Sequence, residues 1–222
     1  MAAGYHKVSD LPALIPVFPL DGALLLPGCQ LPLQIFEPRY LNMIDDAMSG
    51  HRLIGMIQTL PGGDRARPNL VGFGCVGRIT AYAETGDGSY MITLTGVCRF
   101  GVDDEPGLPT PYRQVRPDFA RFRVDLEEDD TPIALDRTAF LAVLRRYLDH
   151  KGLEVEWDAA RQAPAVALIN SLAMGLPLDP PEKQALLEAG DMADRARVLA
   201  TLLEIDGAGD ATGDDDEPPP LQ

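Results

Sequence analysis

Within the stretch LQIFEPRYLNMI (33–44), Glu37, Arg39 and Tyr40 lie close together. A carboxylate, a guanidinium and a phenol so placed could exchange a proton or clamp an anion. The same residues also suit a strand-to-helix joint. Pro38 has no N–H and fits the first turn of a helix. From Arg39 on, Tyr40, Ile44 and Ala47 recur at helical spacing, with Leu41 and Met48 alongside, as far as Ser49-Gly50. Glu37 then stands at the helix start, where the dipole favours a carboxylate that can accept backbone N–H groups. Arg39 is within reach of Glu37, and Phe36 and Tyr40 are expected to bury the joint. Since every residue has a structural job, the joint reading is preferred to a catalytic one.

The rest of the chain offers no catalytic pattern. Its lysines are Lys7, Lys151 and Lys183, and none follows a glycine as a phosphate loop requires. Ser9, Ser49, Ser89 and Ser171 all lie outside a G-x-S-x-G context. His6, His51 and His150 are far apart, and no H-E-x-x-H or Cys/His zinc spacing occurs. The acidic run Glu127 to Asp130 could hold a metal but reads as a solvated hinge. Arg113, Arg116, Arg121 and Arg123 form a basic stripe that could track phosphates; beside so many carboxylates it reads as charge neutralisation. No catalytic residue, metal ligand or cofactor is therefore assigned.

These residues must be carried by a chain of 222 residues, enough for one large or two small domains. Its formal charge is −15, which repels phosphate backbones and anionic membrane surfaces, so neither nucleic acid nor membrane is the expected partner. No apolar run reaches the roughly 18 residues of a transmembrane helix. The N-terminal segment, broken by Pro12, Pro16 and Pro19, does not read as a signal peptide. Cys29, Cys75 and Cys98 are odd in number and sit in apolar surroundings, which predicts buried thiols and a cytoplasmic location.

To about Asp125 the pattern is strands and turns. ALLL and LPLQIF flank the turn pair Pro27-Gly28, and RLIGMIQ is a short apolar run. VGFGCVGRITAYAETGDGSYMITLTGVCRFGV reads as two long strands joined at Gly86-Asp87-Gly88, with Ile92 and Leu94 alternating against Met91 and Thr93. Its many glycines predict bulges, as in a small closed or nearly closed barrel. Beyond that, Thr131 and Pro132 are expected to start a helix that carries Leu135, Leu141, Leu144 and Leu148 to Lys151-Gly152. A second should run from Pro164 to Gly175. A third is expected from Asp179 and Pro180, with Glu182 completing a capping box, to Ala189-Gly190; a fourth begins at Asp191. The helices read as a compact bundle. The segment 206–222 is acidic and lacks large apolar anchors, so disorder is expected there.

LIPVFPLDGALLLPGCQLPLQIFEPRYLNMIDDAM resembles the opening of the Lon substrate-binding (Lon N-terminal) domain family, in the form of its small stand-alone members. FGCVGRITAY, DGSYMITLTGVCRF and YRQVRP are similar to its later strands, including a G-x-x-R-F element at Gly96, Arg99 and Phe100. NSLAMGLPLDPPEKQALLEAGDMADRARVLATLL is similar to its helical half. The resemblance implies an α+β fold: a PUA-like β barrel over 11–125, then a helical bundle over 131–205. It also implies recognition of unfolded or partly unfolded polypeptides by a non-enzymatic module, an adaptor in protein quality control. The ATPase and the serine–lysine peptidase that follow this domain in Lon are not expected here. Phe36, Glu37, Arg39, Tyr40, Arg99 and Phe100 are the motif residues to which a binding role could attach. The alternatives are an RNA-binding PUA-like protein and an enzyme using the barrel cleft for a small molecule.

Overall fold

The computed structural model describes residues 4–64, 67–127 and 135–207, and the chain divides into two compact units, 1–131 with 170–188 and 132–169 with 189–222. The first unit is built on a sheet of β1 (Ile15–Pro19), β2 (Gln30–Ile35), β3 (Leu53–Asp64), β4 (Arg67–Glu84), β5 (Tyr90–Asp104) and β6 (Arg113–Asp118). The order is β2-β5-β4-β3-β1-β6, and β6 also pairs with β5. The pairings from β5 through β4, β3, β1 and β6 therefore form a closed circuit, with β2 outside it. Only β1 and β3 run parallel.

The β4–β5 hairpin turns at the expected Gly86-Asp87-Gly88. Asp87 accepts from the Ser89 amide and hydroxyl, and Gly88, at φ 82°, takes the left-handed conformation glycine permits. Ile92 and Leu94 are buried while Met91 is exposed, as the alternation predicts. ALLL differs from its expected strand: residues 23–26 have no regular structure, although Leu24, Leu25 and Leu26 are buried. The reason lies in β5, where Gly96 lets the backbone of Leu26 pass so close that a Cβ there would lie 2.1 Å from its carbonyl oxygen. Gly28 then donates to Gly96 O and Gly96 donates to Cys29 O, so the crossing segment is tied down without a ladder of its own.

The core of this unit gathers Ile15, Val17, Val76, Val97, Phe100, Val115, Phe119 and Phe122. Phe100 is fully buried because Gly55 and Gly74 leave room for its ring; a Cβ at either would lie within 3.0 Å of it. Cys75 and Cys98 are buried, whereas Cys29 is half-buried. α1 (Pro38–Ser49) begins at the expected proline and buries Tyr40, Met43, Ile44 and Ala47. Tyr90 and Tyr112 hold its far side by hydrogen bonds to Asp45 and Asp46, at 3.1 and 2.6 Å.

The helical segment differs from its expected starts. α2 (Arg137–Lys151) begins at Arg137 with Asp136 accepting from the Ala139 amide, so Asp136 and not Thr131 is its cap. Residues 131–134 lie outside the described residues, as do Glu128 to Asp130 of the acidic run and 208–222 of the acidic tail. α2 ends as expected at Gly152, φ 65°. A short α3 (Trp157–Gln162) was not foreseen; Arg137 satisfies the carbonyls of Ala160, Arg161 and Ala163 at its end. α4 (Ala165–Gly175) and α5 (Pro180–Glu188) follow the expected spans, and Glu182 accepts from the Asp179 amide. α6 (Met192–Gly207) is capped by Asp191 through the Asp194 amide. In the second unit α2 and α6 pack together and bury Phe140, Leu144, Leu148, Ala196, Leu199 and Leu203.

In the first unit α5 is joined to the sheet by buried polar groups. Gln58 donates to Pro180 O and Gln184 Oε1 and accepts from Gly22 N. Lys183, 7% exposed, donates to Gly22 O and Met174 O, and its burial lowers its pKa. Among the described residues no helix is long and apolar enough to cross a membrane.

Candidate functional site

The motif residues separate into two settings. Arg99 and Phe100 are interior, 3% and 0% exposed. Arg99 grips Asp125 through Nε (2.9 Å), Nη2 (2.8 Å) and its own backbone N–H (2.9 Å), and Nη1 donates to Leu187 O at the end of α5. Its guanidinium also stacks 4.5 Å from the Phe122 ring. The G-x-x-R-F element is therefore a packing device: glycine for the Leu26 crossing, arginine for the Asp125 lock, phenylalanine for the core. Asp125 as the partner could not be picked out from the sequence, where it only opens an acidic run.

The Phe36–Tyr40 joint is at the surface. The β2 strand stops at Ile35, and Phe36 is 69% exposed, not packed into the joint as expected. Tyr40 alone is buried there, its ring 4.3 Å from Phe18. Glu37 occupies the N-cap position, but its side chain caps no backbone N–H; it accepts instead from Arg39 Nε at 2.9 Å. Both side chains are close to half exposed, so the pair is screened by water. Replacing Arg39 with alanine should cost less than about 1 kcal/mol of stability. Urea denaturation measures it, and a loss of several times that amount would mean the guanidinium anchors the helix.

Arg39 and Tyr40 line a cavity of about 560 Å³. The Arg39 guanidinium lies 4.6 Å from the Tyr40 ring, which supports its flat face. Opposite elements bring Asp21, Thr59, Arg67, Glu105, Leu108 and Arg113 to the same cavity. Glu105 accepts from Arg113 Nε and Nη2 and from Arg67 Nη2. Those bonds, Arg113's first, hold its carboxyl below the ordinary glutamate value. Asp21 accepts from the Thr59 amide and hydroxyl. Tyr112, at the edge of the cavity, has its phenol pushed up to about 12 by burial and by the bond to Asp46, so it stays protonated.

Arg113, Arg116 and Arg121 do not form a phosphate track: the first two pair with Glu105 and Asp104, and Arg121 stacks on Phe73 and Phe122. No hydroxyl or thiol in the cavity has a histidine beside it, and no group of three or more metal-ligating side chains occurs among the described residues. What the arrangement offers is a wall of guanidinium donors, prolines and a buried tyrosine, suited to binding and orientation.

The comparisons with known proteins agree on one family. The model of the ATP-dependent protease La (LON) substrate-binding domain matches residues 14–204. Lon protease of Flavobacterium johnsoniae is 26% identical over 200 residues, covering 87% of this chain and 24% of that protein. Lon protease of Parabacteroides distasonis is 28% identical over 215 residues, with 90% and 24% covered. The chain thus spans about a quarter of the length of these curated relatives. Among solved structures, the Lon N-terminal domain protein from Xanthomonas campestris superimposes with a TM-score of 0.59 at 25% identity, covering 86% of this chain and 96% of that one. The N-terminal domain of the Mycobacterium avium complex Lon protease shares the fold, with a TM-score of 0.57 at 20% identity over 89% of this chain and 99% of that one. With a family model matched along nearly all of its described length, on an α+β framework shared with two such domains, the chain belongs to the Lon substrate-binding domain family.

Proposed function

We propose that this chain is a non-enzymatic module that binds unfolded or partly unfolded polypeptide segments in the cavity beside α1. One observation carries the reading: the surface part of the family motif, Arg39 with Tyr40, lines the same cavity as the exposed Leu108 and the arginines of β4 and β6. An extended segment needs both apolar contacts and donors for its carbonyls, and this lining supplies both. Phe36, on the same joint but outside the lining, offers a further exposed apolar surface. Glu37 sets the position of Arg39, while Arg99 and Phe100 act only by holding the framework. The sheet with its closed circuit of pairings is read as the PUA-like barrel of the family, and the packing of α2 on α6 supports the helical-bundle reading. The activity of whole Lon proteases is not assigned to this chain; its reading is a cytoplasmic adaptor in protein quality control.

A reduced, unfolded model protein and its native form are titrated against the chain and against Leu108→Asp, with ATPase and peptidase assays alongside. The unfolded form alone should bind, and the variant should weaken it by about fivefold or more, the scale of one lost apolar contact plus an added repulsive charge. Equal binding of both forms, or of neither, overturns the reading, as does turnover that survives further purification.

A further inference from the structure

We infer that the cavity prefers polypeptide segments that present an acidic side chain, a carboxylate that Arg67 and Arg39 receive. This inference rests on the polypeptide-binding reading and narrows it. The lining holds three guanidinium groups and two carboxylates. Both carboxylates are committed: Asp21 to the Thr59 amide and hydroxyl, and Glu105 through both oxygens to Arg113 and Arg67. The guanidiniums are committed unequally. Arg113 uses Nε, Nη1 and Nη2, the second on Pro68 O, and is mostly buried. Among the described residues, Arg67 commits only Nη2, to Glu105, and its side chain is 59% exposed. Arg39 is 46% exposed, and its partner Glu37 is not part of the lining.

The cavity is thus rich in hydrogen-bond donors and short of acceptors. Its prolines, Pro19, Pro68, Pro106 and Pro111, add apolar wall and no N–H. The Tyr40 ring under Arg39 occupies the face of that guanidinium and Glu37 Oε2 takes its Nε–Nη2 edge, so an incoming acceptor would approach in the plane from the Nη1 side. A carboxylate satisfies such an edge better than an amide does, because a charge-assisted hydrogen bond is roughly twice as strong as a neutral one. A lysine ammonium has no acceptor and meets like charge. The chain's net charge of −15 opposes an acidic ligand from afar, but at about 0.15 M salt charges beyond roughly 8 Å are largely screened, and the local lining decides.

The test uses the full chain and three short capped peptides of alanine, proline and leucine that differ at one central residue: glutamate, glutamine or lysine. Calorimetric titration should find the glutamate peptide bound about tenfold more tightly than the glutamine peptide, with lysine weakest. In Arg67→Gln and in Arg39→Gln, both surface replacements, the glutamate advantage should shrink to about threefold or less. Equal binding of the glutamate and glutamine peptides would overturn the carboxylate preference and leave polypeptide binding standing. An advantage undiminished in both variants would also overturn it, since the carboxylate would then be read elsewhere. Failure of all three peptides to bind would remove the polypeptide reading with it.

Discussion

Replacing Arg99 with alanine is expected to destabilise the chain by about 3–5 kcal/mol, the usual cost of removing one partner from a buried ion pair. Arg99 and Asp125 have side chains only 4% and 7% exposed. Without the guanidinium, Asp125 keeps a buried charge and, among the described residues, the Arg99 amide as its donor, and Leu187 O loses its cap. The Phe122 ring loses its stacked partner as well. Lysine should rescue little, because an ammonium does not reproduce the fork that holds two carboxylate oxygens and a carbonyl together. Asp125→Asn should fall between wild type and Arg99→Ala, since the amide preserves the shape but leaves the guanidinium uncompensated. Urea denaturation followed by circular dichroism reads all three. A loss below about 1 kcal/mol for Arg99→Ala would mean that desolvation already cancels the pair's attraction.

Gly96→Ala is expected to be the costliest substitution by a single methyl group. The added Cβ would lie 2.1 Å from Leu26 O, 2.7 Å from Leu26 C and 3.2 Å from Pro27 Cα. All three are backbone atoms, so no side chain can swing aside. The glycine's own backbone is fixed from both directions by Gly28 and Cys29. Relief requires the 24–28 segment to lift, which would draw Leu24, Leu25 and Leu26 out of the interior. Overpacking commonly costs 1–3 kcal/mol, and with backbone on both sides a loss above about 3 kcal/mol is expected. Gly72→Ala is the matched control, because a Cβ there meets nothing within 4 Å. Thermal melting compares the two, and similar melting temperatures would show that the crossing segment yields easily.

The parts of this fold that the sequence announces are those with local signals. The β4–β5 hairpin follows from strict alternation and a Gly-Asp-Gly turn, α1 from Pro38, and the start of α5 from Asp179 and Glu182. The misreadings have local causes too. Pro132 attracted the start of α2 toward itself, while the working cap, Asp136, sits among residues with no apolar period. ALLL has strand composition, but the segment crosses over Gly96 in close backbone approach and is tied there through Gly28 and Cys29. Phe36 was expected inside because it is aromatic, and the strand ends one residue too soon to bury it. The candidate site was half legible: Arg39 and Tyr40 stand in a motif, whereas Arg67 and Glu105 join them only through pairings between distant strands. Likewise α5 meets the sheet through Gln58, Lys183 and Gln184, polar residues that carry no periodic signature.

The closed circuit of strands also sets an order of events on the ribosome. One side of β1 can meet β3 once Gly55 has emerged, but its other side waits until Val115 is made to lie opposite Ile15. At ordinary elongation rates the wait from Ile15 to Val115 is on the order of 5–20 s. Through it the first strand carries an unpaired edge of Ile15, Pro16 and Val17, and Pro16 withholds one donor from any stray chain that would pair there. The buried Arg99 waits as well, since its acceptor Leu187 is made 88 residues after it. A newborn copy of this chain therefore presents an incomplete sheet until β6 has been made, with an apolar strand edge open to capture by other chains.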